Sequence, residues 1–136
     1  MLQKTYVAFF ILLAFVLLTA MGGTGGFERA PRVDKNFGVV VTDATGVKIN
    51  GQNFSWEGRL HFSGYRGMAQ VMIPFEKVTE LTVGDKIERK VTVTAKLIDG
   101  TEAKFDIEAK SRCFGEAPFG SFMLQMDEIK SIVFKK

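Results

Sequence analysis

Two stretches of this chain, "MAQVMIPFEKVTELTV" (Met68–Val83) and "FGSFMLQMDEIKSIVF" (Phe119–Phe134), carry the same apolar rhythm 51 residues apart. Val71 falls on Phe122, Ile73 on Leu124, Phe75 on Met126, Val78 on Ile129, Leu81 on Ile132 and Val83 on Phe134. Upstream, Gly64 falls on Gly115, and within the stretch Glu76 falls on Asp127. Apolar steps of two belong to a strand with one buried face. Two successive steps of three belong to a single tight helical turn, where i and i+3 share a face. Each copy therefore predicts a strand, one turn and a second strand. The acidic residue stands where the turn begins, with Asp127 placed to cap its free amides and Glu76 to complement its dipole. Six coincidences in register exceed what a 46% apolar composition readily supplies, so the pattern reads as an internal repeat.

The residues between and before these stretches are also β in pattern. In "VTVTAKLIDGTEAKFDIEA", Val91, Val93, Ala95 and Leu97 alternate with polar residues, and Ala103, Phe105, Ile107 and Ala109 do the same. Asp99-Gly100 between them suits the positive φ angles of a hairpin turn. "GVKINGQNFSW" is a second hairpin candidate, turning at Asn50-Gly51. "FGVVVTD" reads as a short strand, and "GRLHFSG" sets Leu60 and Phe62 on one face. "GYRG" and "VGDK" have turn composition, and the lysines of "KVTVTAK" suit a strand that must discourage edge pairing. The expected fold is all-β, an antiparallel β-sandwich or barrel over 37–136 built from two related β units.

The Asp-Gly hairpin followed by "FGSFMLQMDEIKSIVF" resembles small, largely uncharacterised β domains of exported bacterial proteins. In those a phrase of the form F-G-x-apolar-x-apolar and then I-x-x-I ends the unit. The likeness lies in packing positions, so it implies a β fold and an exported setting, and it carries over no catalytic residue.

The N-terminus points the same way. In "MLQKTYVAFFILLAFVLLTAMGGTGG", Lys4 precedes an uncharged, almost wholly apolar run from Val7 to Met21, and small residues follow. That is the layout of an export signal peptide or of a retained membrane anchor helix over 1–22. The run is shorter than the about 20 residues of a comfortable span. Ala20 and Gly22 fit the −3 and −1 positions of a cleavage site. No cysteine directly follows, so a lipoprotein anchor is excluded. "GGTGGFERAPR" then reads as a flexible linker, 23–36. The domain is expected outside the cytoplasm, periplasmic or at the cell surface.

Composition limits the chemistry. One cysteine, Cys113, allows no internal disulfide, and with one histidine, His61, no Cys- or His-rich zinc site can form. The formal net charge of +3 comes from scattered basic residues rather than a nucleic-acid footprint. No nucleophile elbow, phosphate loop or calcium loop is present, and no cofactor is expected. Cys113, in register with Phe62, reads as a buried small hydrophobe, although Arg112 beside it would favour a reactive thiolate. His61 needs a partner for acid–base work, and Glu57 supplies one only if the strand runs unbroken through Gly58. "SWEGRLHFSGYRGM" gathers Trp56, Arg59, Tyr65 and Arg66 among glycines, residue types favoured at interfaces.

Three functions are compatible with these features. The first is a non-enzymatic binding or assembly module at the cell envelope, with another envelope protein as partner and the membrane too if the N-terminal helix is retained. The second is a small thiol-dependent or redox-active enzyme using Cys113 and His61. The third is a carbohydrate- or lipid-binding module on a sheet face lined by Trp56 and phenylalanines.

Overall fold

The computed structural model describes residues 27–135. The apolar run Val7–Met21, with its signal or anchor assignment, lies outside them. Among the described residues no helix is long and apolar enough to cross a membrane.

Ten strands follow one another: β1 Val39–Asp43, β2 Lys48–Trp56, β3 His61–Arg66, β4 Ala69–Pro74, β5 Val78–Ile87, β6 Lys90–Leu97, β7 Glu102–Glu108, β8 Arg112–Ala117, β9 Gly120–Gln125 and β10 Ile129–Phe134. Single 3₁₀ turns, Phe75–Lys77 and Met126–Glu128, join β4 to β5 and β9 to β10. The expected strand–turn–strand units are thus present at the expected offset. Their buried residues are the ones the rhythm marks: Phe75 and Met126 under the turns, Val78 and Ile129 after them, then Leu81 and Ile132. The turn amide of Phe75 donates to the carbonyl of Leu60, and that of Met126 to the carbonyl of Ser111, again 51 residues apart. Capping differs from expectation. The Glu128 carboxylate, not Asp127, accepts the Gln125 N–H at 2.8 Å, while Asp127 turns to Lys86 and Lys110.

All pairings are antiparallel, in the order β4-β3-β7-β6-β5-β10-β1-β2-β8-β9. Exchanging each strand for its repeat counterpart (β1 for β6, β2 for β7, β3 for β8, β4 for β9, β5 for β10) reproduces this order read backwards. The fold is therefore pseudo-two-fold symmetric. The axis passes between β5 and β10, where Leu81 pairs with Ile132 and both are wholly buried. The units are intertwined: the β3–β4 hairpin of the first pairs with β7 of the second, and the β8–β9 hairpin of the second pairs with β2 of the first.

This is one curled sheet rather than two sheets face to face. β3 and β10 are four strand positions apart, roughly 19 Å in a flat sheet, yet the rings of Phe62 and Phe134 are centred 6.2 Å apart. Phe37, Phe54 and Phe75 pack against the same cluster. Curling lets one apolar face enclose its own core.

The Asp99-Gly100 hairpin forms as expected, with Val91 opposite Ile107 and Val93 opposite Phe105. Asp99 Oδ1 accepts from the backbone N–H and hydroxyl of Thr101. Asp43 does the same for Thr45, so the first unit turns at Asp43–Val47 and not at Asn50-Gly51. Gly51 lies inside β2 because the Phe122 ring packs onto it; a Cβ there would meet that ring at 2.8 Å. "GYRG" is the end of β3, whose turn comes at Gly67-Met68, and "VGDK" is a bulge in β5 between Val83 and Lys86. "KVTVTAK" is the interior strand β6; the sheet edges are β4 and β9.

From Phe27 onward the stretch expected to be a loose linker is packed. Phe27 lies on Phe114 with centroids 5.7 Å apart, and Ala30 is buried and donates its N–H to Ser121 Oγ at 3.1 Å. These contacts lie on the outer face of β8 and β9.

Candidate functional site

A cleft of about 410 Å³ opens on the outer face where β3, β7 and the β5–β6 hairpin meet, and Trp56, Arg59 and Tyr65 all line it. These three of the four residues picked from "SWEGRLHFSGYRGM" are brought together. Arg66 lies at the end of β3 opposite Ala69, outside the cleft. Arg89, Lys90, Asp106 and Glu108 complete it. They come from 23 or more residues further along the chain, joined through the Tyr65–Asp106 pairing. The alternation in "KFDIE" puts Asp106 and Glu108 on the wet face, but nothing local says which strand that face adjoins.

A tight turn fixes the near wall. Trp56 and Arg59 exchange both backbone hydrogen bonds, at 2.9 and 2.8 Å. The two residues between them, Glu57 (φ 50°) and Gly58 (φ 75°), adopt the paired positive angles of a type I′ turn. Glu57 meets this conformation against its intrinsic preference, at a cost of about 1 kcal/mol. Its carboxylate is held by the backbone N–H of Arg112 and by that residue's guanidinium at 3.3 Å. The strand therefore does not run through Gly58, and Glu57 serves Arg112 rather than His61. The Trp56 indole N–H donates to Ser111 Oγ at 3.0 Å, and that hydroxyl donates to the Glu108 carbonyl at 2.6 Å. This chain of bonds ties the β2 end to the β7 end.

Across the cleft, Lys90 Nζ sits over the half-exposed Tyr65 ring, 5.7 Å from its centre. The Ala109 N–H donates to the Arg89 carbonyl and anchors the β5–β6 hairpin against β7. Asp106 accepts the Thr92 hydroxyl. Lys86 and Lys110 pair with Asp127, Arg112 with Glu57 and Lys35 with Glu76, whereas Arg59, Arg89 and Lys90 make no ion pair among the described residues. The cleft thus sets three cations without ion pairs beside aromatic surface, together with the carboxylates Asp106 and Glu108.

The thiol and imidazole are set differently from a catalytic pair. Cys113 is wholly buried, its Sγ 3.4 Å from Met126 Sδ. In the first unit the corresponding pair is Phe62 and Phe75, with rings 4.8 Å apart, so the cysteine is a core residue as its register predicts. Burial, reinforced by the charge of Glu57, pushes the thiol far above its ordinary range, and the Arg112 guanidinium pairs with Glu57. His61 is partly exposed against Trp56, and burial and Arg59 lower its pKa. No hydrogen bond joins His61 to Cys113 among the described residues. Nor do any three Cys, His, Asp or Glu side chains there converge as metal ligands. Trp56 is almost wholly buried, and the exposed large apolar residues include two aromatics, Tyr65 in the cleft and Phe119 at the β8–β9 tip.

A family model described as "Uncharacterised protein" matches residues 33–136, all ten strands. The chain belongs to that family. A protein of Aquifex aeolicus (strain VF5), itself described as "Uncharacterized protein", is 24% identical over 107 residues, 79% of this chain and 81% of that protein. No solved structure matches the chain. Membership in the family thus rests on the β domain that builds the cleft.

Proposed function

We propose that the protein is an exported, non-enzymatic β domain that holds another envelope protein through the cleft at Trp56, Arg59 and Tyr65. The observation that carries this reading is the convergence of aromatic side chains and cations that make no ion pair, residue types that concentrate binding energy at interfaces, in one concave site. Burial of Cys113 in the core favours binding over thiol chemistry. The N-terminal apolar run of the sequence supports export, followed either by cleavage or by retention as an anchor.

The test is in-cell photocrosslinking of the full chain followed by fractionation and intact-mass measurement. A photoreactive residue at Tyr65 should give a discrete adduct in the envelope fraction, and one at the exposed Lys130 of β10 should not. Equal labelling from both positions, or none from Tyr65, would sink the proposal.

A further inference from the structure

The cleft has a counterpart within the molecule. Under the pseudo-two-fold, β3, β4 and β7 correspond to β8, β9 and β2. The cleft residues Ser63, Tyr65 and Gln70 fall on Phe114, Glu116 and Ser121. Those three positions belong to the outer face that the chain covers with its own strand-free segment, "FERAPRV", Phe27–Val33. Phe27 packs on Phe114 and Ala30 bonds Ser121, while Glu116 accepts from the Asn53 amide and lines the same hollow as Arg29 and Arg32 without an ion pair to either. Among the described residues no segment covers the cleft face.

We infer that the cleft receives a short acidic segment of a partner protein, in the manner in which residues 27–33 lie on the counterpart face. This rests on the cleft being a partner site. Three differences between the two faces define the guest. Ser63 stands where Phe114 fills the other face, which leaves room beside Trp56 for a large side chain. Gln70 stands where Ser121 accepts a backbone N–H, and its amide can both accept from and donate to the guest's backbone. Tyr65 replaces Glu116, and the three cations of the lining, Arg59, Arg89 and Lys90, outnumber its two carboxylates, Asp106 and Glu108, of which Asp106 is held by Thr92 and Glu108 stands opposite Lys90; the counterpart face takes a segment with two arginines, and the cleft's cationic excess favours one with carboxylates. The chain itself does not supply such a segment. Residues 1–26 contain no acidic residue, and the Phe27–Val33 segment of a second copy is basic.

Two labelled heptapeptides test this by fluorescence anisotropy on the full chain in detergent. One is the native "FERAPRV"; the other is its charge-swapped form "FEEAPEV", with glutamate replacing both arginines. The charge-swapped peptide should bind at least about tenfold more tightly than the native one. Its binding should weaken by about tenfold or more in the Arg89→Glu/Lys90→Glu double variant, and should weaken strongly with added salt. Ser63→Phe, which copies the counterpart residue into the cleft, should block binding without a change of charge. Circular dichroism and melting of each variant establish that it is folded. Equal or reversed preference between the peptides, or binding indifferent to both Ser63→Phe and the charge reversal, would overturn the inference. Preference for the native peptide would assign the cleft to a second copy instead. A discrete crosslink from Tyr65 in cells together with no peptide binding would remove the acidic segment and leave the partner site standing. Peptide binding without that crosslink would do the reverse.

Discussion

Gly64→Ala is the smallest change that tests the intertwined topology. Gly64 lies in β3 facing β7 of the other unit, and a Cβ there would fall on the Asp106 carbonyl oxygen and within 2.8 Å of the Phe105 ring. The backbone oxygen cannot rotate aside, so β3 must move away from β7. That ladder is what attaches the β3–β4 hairpin to the rest of the sheet. Forcing a methyl into a packed site costs about 1–3 kcal/mol, and a strained or broken ladder hydrogen bond adds roughly 1 kcal/mol. Alanine recovers about 0.5–1 kcal/mol of glycine's chain entropy. The expected net loss is about 1–3.5 kcal/mol, or a Tm about 5–20 °C lower for a domain of this size. Gly67→Ala at the hairpin tip is the control: its φ is +61° and no atom lies within 4 Å, so only the left-handed penalty of about 1 kcal/mol applies. Urea unfolding followed by Trp56 fluorescence, with thermal melts by circular dichroism, measures both. If Gly64→Ala were within about 0.5 kcal/mol of the parent, or less harmful than Gly67→Ala, the β3–β7 pairing and the cleft built on it would be wrong.

Three further outcomes are expected. Burial acts to raise the pKa of Asp127, but its bonds to Lys110 and Lys86 outweigh this and hold it below the ordinary 3.8; Thr45 and Thr101 similarly lower Asp43 and Asp99. Their contribution is present above that value and is lost as pH falls through the lower folded values. Asp127→Asn should therefore destabilise the protein at neutral pH and flatten the acid limb of urea midpoints. The pKa of His61 lies below its ordinary 6.5 because of burial and Arg59, so below pH 6.5 the unfolded state takes up the proton more readily and stability falls. His61→Asn should abolish that slope, and an unchanged slope would contradict the assigned environment. Cys113 should react with an aromatic disulfide reagent about a hundredfold more slowly in the native protein than in urea; comparable rates would mean the core position is open to solvent.

The sequence alone determined the local structure that depends on near neighbours. The two-then-three apolar rhythm located both 3₁₀ turns and the strands beside them, because burial period follows directly from backbone geometry. Asp99-Gly100 located a hairpin through its φ requirements, and the match of Cys113 to Phe62 located a core thiol. Asn50-Gly51 misled for an equally physical reason: glycine serves turns and close approach alike, and only the presence of Phe122 over β2 distinguishes the two. Trp56, Arg59 and Tyr65 were visible because one short turn and one strand carry them. Arg89, Lys90, Asp106 and Glu108 were not, since they reach the cleft through a pairing between units. That exchange is what tertiary structure alone decided. A β3–β4 hairpin satisfies its alternation, turn and hydrogen bonds equally well beside its own β2 or beside β7 of the other unit. The choice rests on packing between distant residues, with Gly64 against Phe105 and Asp106 and Leu81 against Ile132, and the cleft exists because the choice falls on the partner strand.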